Sequence, residues 1–131
     1  ALVAFGSTAI VHSEESIRGR RSLVLQSDSE RVVIDLAGGS IAEVRLPNLD
    51  LNPLNWGRPK EGDTTPHGFG HFLCLDRWGP PSAAEGANGM PYHGEAATVD
   101  WNIVKSGAGA SDVVEAEIAA RLPLEQLIRV G

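Results

Sequence analysis

Residues 76 to 101 hold a set of chemically useful side chains that a plain core does not require. Asp76-Arg77-Trp78-Gly79 is followed by a loop rich in Pro, Gly and Ala. Then come Gly89-Met90-Pro91-Tyr92-His93-Gly94-Glu95-Ala96 and, on an extended stretch, Trp101. One Arg, one His and one Glu thus lie among aromatic side chains on tightly turning backbone. Aromatic faces pack on the C–H surfaces of pyranose rings, while charged groups take the hydroxyls. The chemistry this stretch suggests is recognition of a sugar. His93 is the leading candidate, because Gly94 beside it lets the backbone approach a ligand; the plainer reading is a loop His capping a turn. Arg77 is the second candidate, with a surface ion pair to Asp76 or Glu95 as the alternative. Glu95 reads as a carboxylate on the rim of the pocket. Trp78 reads as a contact face or a core residue, and His71 as a minor sugar contact. Trp101, on an alternating strand, reads as core.

Other chemistries fit the sequence less well. His67 and His71 have the i, i+4 spacing of paired metal ligands, but that geometry needs a helix. Pro66, Gly68 and Gly70 oppose one, so no metal is expected. Gly38-Gly39 lacks both the P-loop Lys and the Rossmann spacing, and no Gly-x-Ser-x-Gly elbow occurs. No cofactor is expected. Asp35 and Glu43 lie on predicted strands without an evident partner.

The elements that must position these residues read as all-β, an antiparallel β-sandwich in a single domain over residues 1–131. Strands are expected over Ala1–His12, Ser22–Gln26, Arg31–Leu36 and Ile41–Leu46. In the last, Ile41, Glu43 and Arg45 alternate with Ala42, Val44 and Leu46, the period of a strand with one buried face. Ser27 to Glu30 is a turn cluster. Residues 47–68 carry four prolines and form a long surface loop. A further strand is expected over Phe69–Asp76 and a second long loop over residues 79–97. Thr98–Lys105 follows as a strand with Val99, Trp101 and Ile103 on one face. Gly107-Ala108-Gly109 is expected to turn the chain. Ser111–Leu122 has helical composition but alternating Val, Ala and Ile, and reads as a strand. Glu125–Val130 begins another.

Composition narrows the partners. At 131 residues the chain can bury a substantial core. Seventeen acidic residues against 11 basic ones give a net charge of −6. Nucleic acid is disfavoured, because phosphate contacts need a concentrated basic face and the longest basic group is Arg18, Arg20 and Arg21. No stretch approaches the roughly 18–20 apolar residues of a membrane helix, so no membrane partner is expected. Cys74, the one cysteine, excludes an internal disulfide and reads as a buried, inert thiol. Ala1 to Val11 is apolar but lacks a basic n-region and does not read as an intact signal peptide. A cytoplasmic location is expected over a periplasmic or secreted one.

The order of these features resembles the galactose mutarotase-like superfamily, which includes the aldose 1-epimerases. Leu36-Ala37-Gly38-Gly39-Ser40-Ile41-Ala42-Glu43-Val44 is similar to the family's early Gly-pair segment and strand. Asp76-Arg77-Trp78-Gly79 resembles its Arg-bearing segment. Gly89 to Ala96, followed by Trp101, resembles its His-Gly segment, and Leu122-Pro123-Leu124 a mid-domain connection. The likeness spans nearly the whole chain but only the amino-terminal part of the family domain. It implies a twisted antiparallel sandwich that binds a sugar and, in a complete protein, interconverts its anomers. Ring opening needs a base and an acid on opposite sides of the acetal carbon. The resemblance gives Arg77 to the sugar hydroxyls and His93 to the first of the family's two active-site histidines. The second His and the Glu base fall later than Gly131. Half a sandwich would leave sheet edges open to a second copy or another chain. A non-catalytic carbohydrate-binding module, or a structural β-domain assembling through its edges, are the alternatives.

Overall fold

A computed structural model describes residues 11–75, 77–108, 114–123 and 127–130. Among these described residues the strands are antiparallel and form two sheets. The first sheet is a meander in sequence order: β1 (Val11–Ile17), β2 (Arg20–Gln26), β3 (Arg31–Asp35) and β4 (Ser40–Arg45). The second runs β5 (Asn102–Ala108), β6 (Val114–Arg121) and β7 (Leu127–Val130). The all-β expectation therefore holds. Arg18 and Gly19, both at positive φ, make the two-residue turn between β1 and β2, the twist such hairpins favour. Ser27 closes the next turn, with its N–H donating to Glu30 O and its hydroxyl accepting from Glu30 N.

The two sheets share one core. Leu23 of β2 and Leu36 after β3 meet Ile118 and Ala120 of β6 and the fully buried Trp101. Val99 and Ile103 pack on the same cluster, so the face expected for Val99, Trp101 and Ile103 is the buried one. Trp101 also joins the layers through backbone, since its N–H donates to Leu36 O at 2.7 Å. Its indole N–H donates to Ala96 O at 2.9 Å. Gly39 makes this possible: at φ 68, a Cβ there would meet Trp101 Nε1 at 2.5 Å. Ser106 Oγ and His12 Nδ1, 3.1 Å apart, link β5 to β1.

On its other face the first sheet buries Val24, Val33 and Ala42 under Phe69, which directly follows the long loop. Here Arg20 lies buried and spends all five N–H donors. Nε and one Nη bond both Asp35 oxygens at 2.8 Å. The rest reach the carbonyls of Ala37, Asp63 and Thr65. Asp35 thus has its partner, and Glu43 pairs with Arg31 and Arg45.

Several expectations need correcting. Residues 69–75 form no strand; His71 alone bridges Ile41. A bulge in β4 opposes Val33 to Glu43 and Ile34 to Ile41, which breaks the strict alternation, and Leu46 lies past the end of the strand and is exposed. Gly107 and Ala108 lie inside β5 rather than at a turn. Thr98 ends a short 3₁₀ turn, and the strand starts at Asn102. Cys74 is only partly buried. Of the expected first strand, residues 1–10 lie outside the described residues, as do Asp76, Gly109 and Gly131.

Candidate functional site

The long loop is fastened to β4 by side chains. Asn52 imitates a strand neighbour: its Oδ1 accepts from Val44 N and its Nδ2 donates to Ala42 O. Covering a strand edge in this way blocks its pairing with another chain. Arg58 donates to the same Ala42 carbonyl at 2.8 Å. Between these anchors sits Trp56, whose carbonyl accepts from Gly70 N. Just beyond, His71 exchanges backbone hydrogen bonds with Ile41 in both directions. That pairing sets Phe72, whose ring meets Trp56 edge-on at 6.4 Å between centroids.

A second loop brings up His93. Gly79 N–H donates to His93 Nδ1 at 3.0 Å, while His93 N–H donates to Gly79 O at 2.9 Å. This clamp joins residues fourteen positions apart. It also fixes the ring's chemistry: with Nδ1 accepting, the neutral imidazole carries its proton on Nε2. Within the loop, α1 (Ala83–Ala87) is set by a capping box in which Ser82 and Glu85 bond each other's backbone. His93 has φ 66, a left-handed conformation. It costs a non-glycine residue roughly 1–3 kcal/mol and persists where surrounding bonds enforce it. Beyond it, Glu95, Ala96 and Ala97 are buried and anchor the segment beneath Trp101.

The imidazole is the meeting point of an aromatic cluster. Its centroid lies 5.7 Å from Phe72, 5.2 Å from Trp78 and 4.1 Å from Tyr92. Trp78 is 81% exposed, Tyr92 62% and Trp56 52%. Burial of large aromatics is a major stabilising resource, so three of them held at the surface by ordered loops mark a contact face.

The sequence-derived candidates fare differently. His93 and Trp78 come together, and Trp78 is a surface face rather than core. Arg77, adjoining Trp78 in the chain, forms an ion pair with Glu85 of α1; Asp76 lies outside the described residues. Its Nε is buried and has no hydrogen-bond partner among the described residues. Glu95 is not a rim carboxylate: it is 3% exposed. Its carbonyl accepts from Thr98 N and Oγ1, closing the 3₁₀ turn over Ala96–Thr98. His71 acts through its backbone on β4, with its side chain at the surface. The sequence pattern does not mark Trp56, Phe72 and Tyr92 as contacts. A tryptophan in a loop dense in Pro, Asn and Gly was the available signal for Trp56. For α1 it was the Ser82-x-x-Glu85 spacing.

Elsewhere an apolar cleft of about 620 Å³ opens between the sheets, walled chiefly by Leu25, Ile34, Ile41, Leu73 and Ile118. No sequence-derived site residue lines it. Among the described residues no cluster of His, Cys, Asp and Glu could hold a metal ion, and no helix is long and apolar enough to cross a membrane. The chain matches no protein-family model, no curated protein and no solved structure.

Proposed function

We propose that the protein binds carbohydrate at the face formed by His93, Trp78, Tyr92 and Arg77. The observation that carries this reading is the convergence of exposed rings on a histidine whose Nε2–H is fixed as a donor. Apolar sugar faces lie against the rings, and hydroxyls, which both donate and accept, match the imidazole N–H and the Arg77–Glu85 pair. The galactose mutarotase-like resemblance is the second support. Under it His93 contacts the sugar, and interconversion of anomers would need a further acid or base group across the acetal carbon.

Titration with glucose and galactose, followed by tryptophan fluorescence, tests binding. A saturable change that His93→Ala weakens about tenfold or more is expected. A response identical in wild type and His93→Ala would remove His93 from the site. Polarimetry of fresh α-galactose with added protein tests turnover separately.

A further inference from the structure

Beyond the rings that touch His93, the aromatic surface continues. From Trp56 to Phe72, to His93 and on to Trp78, successive centroids are 6.4, 5.7 and 5.2 Å apart. The two ends are the exposed members, Trp56 at 52% and Trp78 at 81%. They come from different loops: Trp56 is tied to β4 through Asn52 and Arg58, and Trp78 to the Gly79–His93 clamp. One pyranose is about the size of one six-membered aromatic ring. A single sugar seated at His93 therefore leaves the Trp56 end uncovered.

The angles between rings narrow the ligand further. Neighbouring planes are inclined by 72°, 61° and 55° along this path. A flat, rigid molecule cannot lie against such canted faces at once. A chain of rings joined by rotatable linkages can, because each unit turns to meet its own face. Polar groups accompany the path as well, with the Nε2–H of His93 a fixed donor and Glu85 Oε1, shared with Arg77, the remaining acceptor, since Oε2 already takes Ser82 N and Oγ. Sugar hydroxyls satisfy both kinds of partner. A proline-rich peptide, whose prolines lack N–H, would bring acceptors and few donors. The net charge of −6 further opposes polyanionic glycans.

We propose that the site takes a linear, neutral oligosaccharide, with the terminal or central sugar at His93 and Trp78 and the chain extending over Phe72 to Trp56. This rests on the carbohydrate reading above and adds a second subsite to it. Trp56 is then the specificity-determining residue for chain length.

Calorimetric titration of the whole chain with glucose, cellotetraose and maltotetraose tests it. At least one tetrasaccharide should bind about tenfold or more tighter than glucose, the gain of roughly one added aromatic contact. Trp56→Ala should collapse that ratio towards one, and Trp56→Phe should keep part of it. Trp78→Ala should weaken glucose and tetrasaccharide alike. Circular dichroism and the thermal midpoint of each variant establish that it is folded. Equal affinity for glucose and both tetrasaccharides, with Trp56→Ala silent, overturns the extended subsite and leaves the single-sugar reading standing. Failure of every saccharide to bind overturns both readings. Binding of a polyproline decapeptide, sensitive to Trp56→Ala, with no tetrasaccharide binding, reassigns the face to peptide.

Discussion

Arg20 and Asp35 show how strongly one buried pair can organise this molecule. The guanidinium holds two strands and three carbonyls together, and it packs 5.7 Å from the centre of the Phe69 ring. Burial pushes the Asp35 carboxyl up from its ordinary value, and the bonds from Arg20 oppose that shift. A pair so deeply buried is weak evidence of net stabilisation, but breaking it leaves an uncompensated charge. Arg20→Met and Asp35→Leu should each cost about 3–5 kcal/mol, and the double variant clearly less than their sum. Urea unfolding of the three variants measures this; additive losses would show that the two side chains act independently. The sequence displayed both residues without their connection. Arg20 stood in a basic triplet and Asp35 without a partner. Only the β2–β3 register, which sets Ser22 opposite Asp35, brings residues fifteen positions apart onto one face. His93 is the converse case. Its neighbours in sequence already marked it, and the structure added the Gly79 clamp and the rings.

The long loop over residues 47–68 was legible as a loop, from its prolines and glycines. What it does was not, because its anchoring depends on side chains that imitate backbone. Asn52 on β4 is one instance; the turn at Asp63 is another. Asp63 Oδ1 accepts from Thr65 N at 3.0 Å, and the turn offers the carbonyls of Asp63 and Thr65 to Arg20. The hydrogen bonds from Thr65 hold the Asp63 carboxyl below its ordinary value of 3.8. A depressed carboxyl contributes stability above the unfolded value and loses it as pH falls through the folded one. The difference in urea midpoint between wild type and Asp63→Ala should therefore be widest near neutrality and narrow as pH drops below 3.8. A difference that stays constant into strong acid would show that the turn is held without the carboxylate's charge. The bulge in β4 was equally hidden. Alternation from Ile41 to Leu46 looked unbroken, and one extra residue shifts which side chains face inward.

At the scale of the whole molecule, the all-β reading followed from alternation that survives in most strands, most clearly in Ala116, Ile118 and Ala120 of β6. Burial of Trp101 was equally visible, in its place between Val99 and Ile103. How the two sheets depend on each other was not, since Trp101 meets the first sheet through Gly39 and Leu36, more than sixty positions away. That joint has a consequence for unfolding. The core cluster draws Leu23 and Leu36 from one layer and Ile118 and Ala120 from the other, with Trp101 among them. Neither layer keeps its apolar face covered if the other leaves, so both should unfold in one transition. The chain has three tryptophans, and Trp56 and Trp78 are exposed. In a Trp56→Phe/Trp78→Phe variant, Trp101 is the sole indole emitter, at a cost to stability within about 0.5 kcal/mol per exposed site. Its emission then reports the joint, while far-UV circular dichroism reports the strands of both sheets. In urea the two signals should trace a single curve with the same midpoint and slope. An emission change that precedes loss of the strand signal would mean that the sheets separate first and that each persists without the other.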